Sequence, residues 1–103
     1  MPLYAVTTVD KPGMSEARAA IRQTHLDYLA RHKDAVVLGG VTYAADDAKD
    51  GSVWIVNLPD LAAAEAFVAN EPFVKAGLFQ SIRLRRMNKG QWNPPAADGA
   101  ASA

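Results

Sequence analysis

The chain has 103 residues, half of them apolar and about a fifth charged, which fits one folded domain and excludes an intrinsically disordered chain. Its 11 acidic and 11 basic residues cancel, so it lacks the basic excess by which phosphate contacts drive nucleic-acid binding. It has no cysteine, which excludes disulfides, thiolate nucleophiles and cysteine zinc sites together and fits a reducing compartment.

Leu3 to Val9 is rich in β-branched and aromatic residues and reads as a strand, broken by Asp10-Lys11-Pro12-Gly13. Ser15 is the expected N-cap of a helix over residues 16–33. Ala17, Ala20, Ile21, Thr24, Tyr28 and Leu29 recur there at three- and four-residue steps and form its apolar stripe, with Arg18, Arg22, Asp27 and Arg31 off its centre. Ala35 to Tyr43 reads as a strand containing Gly39-Gly40, a pair that permits close approach to the backbone. A polar loop over residues 44–51 leads to a clear strand from Ser52 to Leu58. Trp54 and Val56 lie on one side of it, Val53 and Ile55 on the other.

Asp60 caps the next helix, Leu61 to Ala69, which Asn70 and Pro72 end. Phe73 to Gly77 forms a short helical turn, and Phe79 to Met87 alternates as a half-buried strand. Arg83, Arg85, Arg86 and Lys89 read as a solvated strand end rather than an anion site. The division is a domain over residues 1–90 and a flexible C-terminal tail over 91–103. No signal-peptide pattern opens the chain and no stretch approaches the ~20 apolar residues of a membrane span, so a cytoplasmic location without membrane partner is expected.

The order β-α-β-β-α-β predicts an α+β, ferredoxin-like fold, a four-stranded antiparallel sheet with two helices on one face. Its other face is expected to carry Tyr4, Val6 and the Trp54 or Val53 set. Left open, such a face would be a large sticky patch. Two sheets packed face to face across a two-fold axis remove it, so a homodimeric α/β barrel is expected, and a monomer in light scattering would contradict that.

His25 stands beside Ile21, Tyr28 and Leu29 on the first helix, with Arg22 one turn earlier. A half-buried histidine can act as general acid or base near neutral pH; the alternative is a core-edge histidine satisfied by one hydrogen bond. His32 lies two turns on, about 10 Å away along the axis, too far to share an ion with His25, so no metal is expected. In Glu71-Pro72-Phe73 the proline stiffens the chain, so Glu71 either points into a cleft or ends a helix as a solvated carboxylate. Ser52, after Gly51, either orients a ligand or ends the loop. There is no nucleophile elbow, Walker motif or Gly-x-Gly-x-x-Gly, and no cofactor is expected.

Asp10-Lys11-Pro12-Gly13, Arg22-Gln23-Thr24-His25-Leu26-Asp27-Tyr28-Leu29, Leu38-Gly39-Gly40, Asp50-Gly51-Ser52, Ala66-Phe67 and residues 70–79 resemble, in order and spacing, the YciI-like (YCII-related) domain family over about residues 3–90. The most specific piece is Pro72-Phe73 followed by Ala76-Gly77-Leu78-Phe79. The resemblance implies a dimeric α/β barrel, a pocket between sheet and helix, and a histidine–acid pair, here His25 and Glu71. Some relatives eliminate HCl from chlorinated hydroxyquinols. Glu71 departs from the family's usual Asp, and its extra methylene moves the carboxylate about 1.5 Å farther out unless the backbone retracts. Gly39-Gly40 replaces the commoner Gly-Pro, and Ser52 matches the serine that opens the third strand.

Two readings follow. The first is a cofactor-free enzyme using the His25–Glu71 pair for elimination, isomerisation or lactone-type chemistry on a small cyclic or phenolic metabolite, with Arg22, Tyr28, Gly40, Ser52 and Phe73 around the substrate. The second is a non-catalytic small-molecule-binding or accessory dimer.

Overall fold

The computed structural model describes residues 1–102. Its elements run β1 (Leu3–Asp10), α1 (Ser15–Arg31), β2 (Val36–Tyr43), β3 (Lys49–Asn57), α2 (Leu61–Ala69), α3 (Pro72–Lys75) and β4 (Phe79–Met87). The four strands form one antiparallel sheet in the order β2-β3-β1-β4, the ferredoxin-like arrangement. A single 3₁₀ turn, Pro94–Ala97, lies in the stretch expected to be a flexible tail, whose last residue, Ala103, is outside the described residues.

Strand register decides which side chains meet the helices. Val6 stands opposite Trp54 on one side and Leu84 on the other, and Tyr4 opposite Val56. Tyr4, Val6, Trp54 and Val56 are buried beneath the helices with Phe67, Phe73 and Leu78. This corrects the expected open face: Tyr4, Val6 and Trp54 belong to the core side. A one-residue step in a strand exchanges the faces, so the open face carries the alternate set, including Val53 and Ile55.

Helix α1 also differs from its predicted pattern. Ser15 is its first helical residue rather than its cap; Met14 occupies the cap position and no side chain caps it. Of the expected stripe, Tyr28 is buried and Ala17, Ile21 and Leu29 pack partly buried against the core, but Ala20 and Thr24 are exposed and His25, placed at the stripe's edge, is buried. The core-facing stripe is thus polar at its centre. By contrast, Asp60 caps α2 as expected, its Oδ1 accepting from the Ala63 N–H at 2.8 Å.

Gly51 is fixed by contact. Its Cα faces the β1 backbone so closely that a Cβ would stand 2.1 Å from the Thr8 carbonyl oxygen. Among the described residues, no helix is long and apolar enough to cross a membrane.

Candidate active site

The segment from Glu71 to Leu78 is one helical turn with a device at each end. Glu71 is extended (φ −69°, ψ 132°), as a residue before proline is driven to be. Pro72 occupies the first helical position, where its missing N–H costs nothing. At the other end Gly77 takes φ +71°, the left-handed conformation that closes a helix. The Gly77 N–H donates to Val74 O at 3.0 Å and the Leu78 N–H to Phe73 O at 3.1 Å, the double bond of a Schellman ending. Leu78 and Phe73 are both fully buried. This one turn therefore delivers Glu71 and Phe73 to the same place against α1.

There Glu71, 0% exposed, sits behind His25, 8% exposed. Its Oε1 contacts His25 Nδ1, and its Oε2 accepts from the Val74 N–H at 3.1 Å. Glu71 thus spans these two partners, one through each oxygen. An ionised carboxylate only accepts, so Nδ1 is the donor in this contact, which in a neutral imidazole leaves the lone pair on Nε2. The imidazole stacks on Phe73 with centroids 4.0 Å apart and planes 16° apart, and Trp54 stands 6.0 Å away. The ring is thus held from behind by a carboxylate and from the face by an aromatic.

His25 lines a cavity of about 140 Å³ between α1, β2, β3 and α3. That is close to the size of an apolar cavity that accepts a benzene, about 150 Å³. Arg22, Gly40, Ser52 and Phe73, named from the sequence, line it too. A Cβ on Gly40 would meet nothing within 4 Å, so this backbone is open. Tyr28 lies elsewhere. Its hydroxyl donates to Phe67 O at 2.7 Å, and its ring borders a separate hollow with His32 and Phe67. Burial pushes the Tyr28 phenol up, the Glu71 carboxylate adds to this, and Arg31 opposes it. His32 Nδ1 is engaged by Tyr28 O at 2.8 Å. Among the described residues no three metal-ligating side chains gather.

Arg18, Lys49 and Trp54 also line the cavity and were not singled out from the sequence. Arg18 is the most connected. Its Nε donates to Asp10 Oδ2 at 2.9 Å, and its Nη2 to Gly51 O at 2.9 Å and Ser52 Oγ at 3.1 Å. Its guanidinium lies 4.9 Å from the Phe73 centroid. The Ser52 oxygen accepts from Arg18, and among the described residues the hydroxyl makes no other side-chain hydrogen bond. A signal for Arg18 existed: Arg18, Arg22 and His25 recur at four and three residues, a polar stripe along one side of α1.

The model of the YCII-related domain matches residues 2–88. Protein YciI of Escherichia coli is 28% identical over 95 residues, covering 84% of this chain and 97% of that protein. An uncharacterised protein of Haemophilus influenzae is 28% identical over 94 residues, covering 84% and 96%. Among solved structures, 5-chloro-2-hydroxyhydroquinone dehydrochlorinase of Burkholderia phenoliruptrix AC1100, in complex with 2,5-dihydroxybenzoquinone, superposes with a TM-score of 0.80 at 32% identity, covering 85% of this chain and 95% of that one.

Proposed function

The chain belongs to the YCII-related domain family, and on that footing we propose that it is a cofactor-free enzyme acting on a small phenolic ring by proton transfer through His25. The observation that carries this reading is the cavity-lining imidazole held by buried Glu71 at Nδ1. The solved relative that acts on a chlorinated hydroxyhydroquinone supports the substrate class.

In this reading Nε2 of His25 takes the proton of a ring hydroxyl, and the electron pair moves into the ring. The imidazolium returns the proton to a ring carbon, giving a keto tautomer. Where that carbon bears a halide, removal of a second hydroxyl proton drives out the halide with the carbon–halogen electron pair. The sum is loss of HX, with no outside oxidant. Glu71 orients the imidazole and stabilises its charged form. Ser52 and Arg18 face the developing ring oxyanion.

We also propose that two copies pair through the open sheet face, which carries Val53 and Ile55, that residues 91–103 lie outside the catalytic domain, and that the enzyme works in the cytoplasm.

The test is halide release from chlorinated hydroquinones by the wild type and by His25→Ala. Removing a general acid–base costs about 10²–10⁴-fold in rate, and that loss is expected. Equal release by the two proteins would overturn the assignment of His25.

A further inference from the structure

The lining of the cavity is one-sided in charge. Arg18, Arg22 and Lys49 line it, and no carboxylate does. The same three residues line an adjoining groove between α1 and the start of β3, so the cavity and groove share one cationic wall. Arg18 is neutralised by Asp10. Among the described residues, Arg22 and Lys49 have neither a salt bridge nor a side-chain hydrogen bond. The chain as a whole carries no net charge, so this wall is a local concentration rather than part of a basic surface. Cations gathered at a cleft focus the field and raise the local concentration of anions.

We infer that the substrate is a ring acid: its ring enters beside His25 and Phe73, and a ring-borne carboxylate lies in the groove between Arg22 and Lys49. This rests on the proposed reading of the cavity and adds the second group the substrate must carry. Arg22 offers a planar fork that matches a carboxylate, and Lys49 a point charge beside it. The ring supplies the atoms that react, and the carboxylate supplies orientation.

The experiment compares two probes of one shape, 2,5-dihydroxybenzoate and 2,5-dihydroxybenzamide. Affinity is measured by calorimetry, and entry into the cavity by the ring resonances of His25. The carboxylate is expected to bind about tenfold more tightly at low salt, the sum of two exposed charge contacts. That preference is expected to vanish at high salt and in the Arg22→Gln, Lys49→Gln double variant. Both side chains are exposed, so the variant is expected to fold. Equal affinities with His25 shifted by both probes would overturn the acid inference and leave the cavity reading standing. A preference that survives in the double variant would also overturn it. If neither probe moves His25, both readings fall.

Discussion

Glu71→Gln is expected to lose turnover by about 10²–10⁴-fold while remaining folded, because a glutamine cannot serve both partners of this carboxylate. Glu71 accepts at both oxygens, from Val74 N–H and in its contact with His25 Nδ1. The amide keeps one acceptor and gains a donor. If its oxygen takes the Val74 N–H, its NH₂ faces Nδ1, and the imidazole proton must move to Nε2. Nε2, the nitrogen used in the proposed chemistry, then has no lone pair with which to act as base. Because the His25–Phe73 stack does not depend on the charge, the ring stays in place. Losing one charged hydrogen bond costs about 1.5–3 kcal/mol, which lowers the melting temperature by roughly 6–24 °C in a domain of this size. Steady-state kinetics and a thermal melt on the same preparation check both. Full turnover in Glu71→Gln would show that the carboxylate only caps a helix.

The second large effect concerns the fold. Gly51→Ala is expected to destabilise the domain by about 3 kcal/mol or more, the upper end of overpacking costs, and to lower its melting temperature by more than about 10 °C. The added Cβ would stand 2.1 Å from Thr8 O and 2.9 Å from Thr42 Oγ1. The first is strand backbone in the central β1–β3 pair and cannot swing aside. Relief means parting the two strands, which also shifts Gly51 O and Ser52 Oγ, the atoms Arg18 holds. Gly40→Ala is the internal control. It meets nothing within 4 Å and is expected to change stability by less than about 0.5 kcal/mol. Differential scanning calorimetry separates the two, and a Gly51→Ala protein melting with the wild type would contradict the close contact.

Much of this was legible in the chain, for reasons that differ from element to element. The bounds of Phe79–Met87 and the cap at Asp60 were read correctly from local signals, but the half-buried alternation expected of that strand was not: Phe79 is buried and Leu84 partly so, while Ile82 and Met87 are exposed. The Pro72 and Gly77 pair marks a single turn for the same reason. Helix α1 was harder. A stripe drawn through its apolar residues put Ala20 and Thr24 inside and His25 at the edge, whereas the helix turns His25 toward the sheet because Glu71 is there to meet it. That partner is 46 residues away in sequence and no helical wheel contains it. Arg18 was passed over likewise, since its partners Asp10, Gly51 and Ser52 come together only when β1 pairs with β3. The assignment of Tyr4 and Val6 to the open face had a simpler cause. Strand alternation defines two faces but not which of them the helices cover.

The proposed chemistry depends on contact between the His25 imidazole and a phenolic ligand. Its most direct test is a titration of histidine-labelled protein with 2,5-dihydroxybenzoquinone, the molecule bound in the solved dehydrochlorinase, followed by ring nitrogen and carbon resonances. The chain has two histidines, and His32, whose Nδ1 is engaged by Tyr28 O beside a different hollow, serves as the internal reference. A saturable shift of the His25 resonances is expected while those of His32 stay where they are. Saturable binding with His25 unmoved, or with both histidines moving alike, would contradict it.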